Sequence, residues 1–98
     1  MDKRVITSST LIVGKSEVLE SDLDGEIIAL DMDQGQCYGF NSSASSIWRL
    51  LKAPTSASKI CFDLANEFNI EKQQCEPAVL KLLNEMNDQG LISIVGAE

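Results

Sequence analysis

The hydrophobic period of this chain changes once, after Phe40, and that change limits the folds open to it. Before it, apolar residues come in short runs ended by turn residues; after it, they recur at helical spacing. Leu11-Ile12-Val13 is a short run closed by Gly14, and Glu17-Val18-Leu19-Glu20 is a second candidate strand. Ser21-Asp22-Leu23-Asp24-Gly25 ends it, with Asp24-Gly25 as the turn signal. Glu26 to Met32 is the clearest strand, and Asp33-Gln34-Gly35 turns the chain back. Gln36 to Phe40 completes a hairpin, with Tyr38 and Phe40 on one face and Cys37 on the other.

Asn41 or Ser42 can then cap a helix in which Ala44, Ile47, Trp48 and Leu51 recur at i, i+3, i+4 and i+7. Lys52-Ala53-Pro54 ends it, because the residue before proline is driven out of the α region. Thr55 or Ser56 opens a second helix with the stripe Ile60, Leu64, Ala65 and Phe68, and Asn69 stops it. Pro77 suits the first turn of a third helix, where its missing N–H has no partner to lose. Val79, Leu80, Leu82, Leu83 and Met86 follow, Gly90 closes the helix as a left-handed cap, and Leu91 to Val95 is extended. The expected fold is a winged helix-turn-helix-like α+β domain: a three-stranded antiparallel sheet followed by three helices. Residues 1–10 read as a flexible polar arm in which Val5-Ile6 could still pair with something, and residues 11–98 as the domain.

Ninety-eight residues support one core and no more. With 44% apolar and 23% charged residues the chain is neither disordered nor low in complexity. Its apolar runs are too short to span a membrane, and the N-terminus lacks the apolar core of a signal peptide, so a cytoplasmic protein with no membrane partner is expected. Eight basic against 15 acidic residues give a net charge of −7. Between Lys15 and Arg49 there is no Lys or Arg, while Glu17, Glu20, Asp22, Asp24, Glu26, Asp31 and Asp33 fall in that gap. Solvated strand faces and turns explain such a stretch; attraction of a basic partner is the other reading. Either way phosphate backbones are repelled, and no nucleic-acid partner is expected.

Catalytic material is scarce. There is no His, hence no imidazole base and no His metal ligand. Cys37, Cys61 and Cys75 are odd in number and widely spaced, which fits neither a zinc site nor a disulfide framework. They read as small buried hydrophobes, and no cofactor or metal is expected. The chain reads as a binding module and not an enzyme.

Taken as one string, Leu30-Asp31, Gly35, Tyr38, Asn41, Ala44 and Ile47-Trp48 resemble the signature of the PqqD-like family. Thr55 before a helix, the Phe68-Asn69-Ile70 break and Gly90-Leu91-Ile92 after a long last helix extend the resemblance over roughly residues 16–95. Each residue also has a simple structural job: Gly35 in a tight turn, Asn41 as a cap, Trp48 in a core. The family comprises the recognition domains of ribosomally made, modified peptides and is named for the peptide chaperone of pyrroloquinoline quinone biosynthesis. The resemblance implies binding of the leader region of a precursor peptide, which adds as a strand in a cleft between the family's third strand and third helix. A separate maturation enzyme (a peptidase, cyclase or radical enzyme) would receive it. The polar Ser/Thr arm looks closer to the discrete lasso-peptide type.

On this chain the third strand of that scheme is Gln36 to Phe40, which contains no Pro or Lys to blunt an exposed edge. Cys37, Tyr38, Gly39 and Phe40 are therefore one side of the expected site, with Gly39 permitting close backbone approach. The apolar arc of the third helix is wide once Leu80 is counted, which makes Glu76, Leu80, Leu83 and Asn87 the candidate opposite wall. The alternative is that the C-terminal segment or the first helix covers Leu80. The competing function is a winged-helix DNA-binding or protein-docking regulator. Against DNA binding, the segment 71–89 sets Lys72 and Lys81 against Glu71, Glu76, Glu85 and Asp88.

Overall fold

The computed structural model describes residues 5–97 as an α+β domain. In chain order its elements are β1 (Thr10–Gly14), β2 (Val18–Leu23), β3 (Glu26–Asp31), β4 (Gln36–Gly39), α1 (Ser42–Leu50), β5 (Thr55–Ser56), α2 (Ala57–Phe68), α3 (Lys72–Asp88) and β6 (Ile92–Ala97). One antiparallel sheet has the order β2-β3-β4 and is the one expected. A second, β5-β1-β6, was not: it joins the short run at Ile12 to the extended tail, with Ile12 opposite Ile94 and Gly14 opposite Ile92. Nothing local in the sequence joins segments so far apart.

Asp24 and Gly25 both take positive φ (55° and 87°), as a two-residue hairpin of type I′ twist requires. This tight turn lets β2 continue through Leu23, so Ser21 to Leu23, expected in the turn, belong to the strand. On β3 the alternation is strict: Ile27, Ala29 and Asp31 are buried, while Glu26, Ile28 and Leu30 face outward.

Asn41 caps α1, its Oδ1 accepting the Ala44 N–H at 2.8 Å, and Ser56 caps α2 by accepting from Lys59. Trp48 is 2% exposed, with the Phe40 ring 5.6 Å away, and its Nε1–H donates to Glu20. The helix α3 begins at Lys72, more than a turn before the expected start, because burial of Cys75 together with Val79 ties that first turn to the core. Pro77 therefore lies inside the helix, on an exposed position. At the far end, Gly90 donates to Asn87 O and Leu91 to Met86 O, a Schellman cap that requires the glycine's φ of 75°.

The expected loose arm is docked where it is described. Ile6 is 2% exposed, and its backbone N–H and C=O both bond the side-chain amide of Asn84 on α3. An apolar side chain that reaches the core outweighs the polar residues around it. Residues 1–4 lie outside the described part.

Candidate functional site

The strand β4 is the edge of its sheet, and the phase of its hydrogen bonds decides which backbone groups it offers. Phe40 donates to Ile27 O at 2.8 Å on the β3 side, while Met32 donates to Glu17 O on the β2 side. In an antiparallel ladder such bonded pairs recur every second residue. With Ala29 opposite Tyr38 and Asp31 opposite Gln36, the backbone groups of Gln36, Tyr38 and Phe40 point to β3. Those of Cys37 and Gly39 then point to the open edge. Ser45 completes the ladder's end: Ile27 N–H donates to its Oγ at 2.8 Å, and its hydroxyl donates to Phe40 O at 3.2 Å. A fully buried serine thereby holds the start of α1 against β3 and β4.

Opposite this edge runs α3. A cleft of about 630 Å³ lies between them, with Cys37, Tyr38, Gly39 and Phe40 on one wall and Leu82, Glu85, Met86 and Gln89 on the other. Asn41 and Ala44, from the start of α1, line it too and are shared, with Leu82, by an adjoining apolar pocket of about 480 Å³. Ile47, Leu64, Phe68, Ile70, Ala78 and Val79 line that pocket. Together they form a groove from the open strand edge to the α2–α3 junction. Its acidic lining residues are Glu85 and Asp88, and none of its lining residues is basic.

The four strand residues expected at the site thus stand together. The four helix residues do not line the groove. Leu83 is fully buried in the core, and Glu76, Leu80 and Asn87 lie on the other flank of α3. At 100° per residue Leu80 is roughly 160° around the helix from Leu82. Its turn is the one onto which the N-terminal segment docks, for Asn84 Nδ2 donates to both Leu80 O and Ile6 O. The extra width of the apolar arc thus lies beside Ile6, and the groove uses the opposite flank, where Ala78 and Leu82 stand beside the core residues Cys75, Val79 and Met86.

One polar contact ties the strand side of the groove to α3. Gln34, in the β3–β4 turn, donates from Nε2 to Gln89 O at 3.4 Å, joining the turn to the end of α3. The turn itself is organised by Asp31, whose buried carboxylate accepts from the N–H groups of Asp33 and Gln34 and has Lys15 Nζ 3.0 Å from each oxygen. Burial alone would push that carboxyl up; Lys15 and the two N–H donors outweigh it and hold Asp31 below the usual carboxylate range. Lys15 is correspondingly raised, chiefly by its bond to Asp31. Asp31, which stands in the sequence both in an acidic run and in the family-like string, is thus what shapes the β3–β4 turn. Among the described residues no group of three or more His, Cys, Asp or Glu could hold a metal ion.

A family model described as coenzyme PQQ synthesis protein D (PqqD) matches residues 26–92, from β3 to the start of β6. The chain belongs to the PqqD family. The match takes in β4, α3 and every residue that lines the groove between them. Among solved structures, this PqqD-family chain is similar to TbiB1 in complex with the TbiA(beta) leader peptide. There the TM-score is 0.75 at 20% identity, covering 83% of this chain and 94% of that one. It is also similar to a lasso peptide synthetase B1 complexed with the leader peptide, with a TM-score of 0.67, 20% identity and coverage of 84% and 96%. At that identity the likeness is one of fold. A comparison with curated protein sequences gives no match.

Proposed function

We propose that this PqqD-family chain binds the leader segment of a ribosomally synthesised precursor peptide as a strand added to β4, and delivers it to a separate maturation enzyme. The observation that carries the reading is the open edge at Cys37 and Gly39 facing a groove walled by α3. An extended peptide seated there would exchange backbone bonds with those two residues, while alternate side chains entered the groove. The acidic lining, Glu85 and Asp88, favours a leader with basic residues near the contact.

The chain does no chemistry in this scheme. Holding the leader tethers the core peptide near the enzyme, where millimolar effective concentration replaces a weak direct encounter. No helix among the described residues is long and apolar enough to cross a membrane, which suits a cytoplasmic carrier of a newly made peptide. The likeness in fold to a leader-bound lasso peptide synthetase B1 favours a lasso-peptide pathway over other members of the family.

Calorimetric titration with the leader encoded by a neighbouring gene tests the proposal. Binding at micromolar affinity or tighter is expected, with no saturable binding of duplex DNA. A chain that ignores every leader from its genomic neighbourhood and binds DNA would be a regulator instead.

A further inference from the structure

The sheet β2-β3-β4 has a second face, turned away from the core, which meets the groove only at its β4 edge, through Cys37 and Gly39. On β2, Glu20 and Asp22 turn toward the end of α1, where Glu20 pairs with Lys52, just past the helix, and Asp22 lies 2.6 Å from Arg49 Nη2. The residues between and beyond them point the other way: Leu19 and Leu23 are 59% and 60% exposed. Ile28 and Leu30 on β3 are 38% exposed each, and Met32, just past the strand, is 57% exposed. The register sets Leu19, Leu30 and Cys37 in one row across the three strands and Ile28 beside Gly39 in the next. Ser21 lies across from Ile28, so Leu19, Ile28, Leu30 and Met32 form the apolar cluster and Leu23 flanks it beyond the serine; a cluster of this kind on a monomer marks an interaction site.

The charges at its margin say what can cover it. Each carboxylate on the inner side of the sheet has its own cation: Lys52 for Glu20, Arg49 for Asp22 and Lys15 for Asp31. Glu17, Asp24 and Glu26 are exposed at the rim of the outer face, Glu26 directly across from Leu23, and have no cation partner among the described residues. Two copies stacked on this face would set those carboxylates against each other, in a chain whose net charge is already −7. An anionic membrane is repelled for the same reason. The complement is a protein surface with an apolar ridge flanked by Lys and Arg.

We infer that the outer face of β2-β3-β4 docks the maturation enzyme through such a basic-rimmed apolar ridge, centred on β2 and β3 and meeting the leader groove only at the β4 edge. Identifying the partner as that enzyme rests on the delivery reading above; the surface and its chemistry do not. A leader strand on β4 would leave this face open, so both partners could be held at once.

The test uses the full chain and the purified maturation enzyme encoded beside it, with leader affinity measured in parallel. Leu23→Lys and Glu26→Lys should each weaken binding of the enzyme tenfold or more and leave leader affinity unchanged. Raised salt should weaken the wild-type complex. Unchanged enzyme affinity in both variants, or no enzyme binding by the wild type, overturns the inference while the leader titration judges the delivery reading independently. A concentration-dependent dimer of the wild type that Leu23→Lys abolishes would assign the face to a second copy and also overturn it.

Discussion

Replacing Cys37 by proline should separate leader binding from folding. The Cys37 N–H points away from β3, so Cys37→Pro removes no ladder bond, and the exposed thiol contributes nothing to the core. Proline is tolerated on an edge strand where the missing N–H faced solvent, so the fold should lose under about 1 kcal/mol. For a leader strand the change is larger. The carbonyl that Cys37 would serve is left without a donor, at about 1–3 kcal/mol, and the ring obstructs close approach. At about 1.4 kcal/mol per decade, the leader dissociation constant should rise roughly 5- to 150-fold. Cys37→Ala should bind like the wild type, since it keeps the N–H. Tyr38→Pro is the converse control: its N–H lies in a bonded pair with Ala29, so it should lower the melting temperature markedly. Calorimetric titration and thermal melts read both quantities. Wild-type leader affinity in Cys37→Pro, or equal destabilisation by the two prolines, would refute the hydrogen-bond phase on which the reasoning rests.

Leu82 stands on the groove wall and Leu80 does not, so Leu82→Ala should weaken leader binding by about 1–2 kcal/mol while Leu80→Ala changes it less than about twofold, by calorimetry. Trp48→Ala should cost roughly 3–5 kcal/mol and lower the melting temperature by more than about 12 °C, because the ring is the largest fully buried side chain. Asp31, Glu20 and Asp22 all sit below their ordinary range in the fold. The unfolded chain therefore takes up protons first, and their contribution, complete above the ordinary carboxylate pKa of about 4, is lost as pH falls through the folded values. Thermal melts from pH 7 to pH 2.5 should show this loss, reduced in Asp31→Asn; parallel profiles for the two proteins would remove Asp31 from the account.

The hairpin and the three helices were legible because their signals are local: Asp24-Gly25, the alternation around Ile27 and Ala29, the caps at Asn41 and Ser56, the stop at Asn69. The sheet β5-β1-β6 was not, since Ile12 finds Ile94 only after the whole chain has folded. The same holds for Ile6, whose polar neighbours disguised a core residue. At the site, the strand edge was readable from the missing Pro and Lys. The helix wall was misread because periodicity gives the width of an apolar arc and not which neighbour covers each flank. Ser45, one serine among four near Asn41, gives no sequence sign of its place at the end of the β3–β4 ladder.

The central claim is that a leader pairs with the open edge of β4. Residue-resolved amide hydrogen exchange, with and without a saturating leader peptide, measures it directly. Exchange at Cys37 and Gly39 should slow on binding, while Gln36 and Tyr38, already bonded to β3, should change little. Leader binding that left Cys37 and Gly39 exchanging as before, with new protection along β2 or elsewhere, would contradict it.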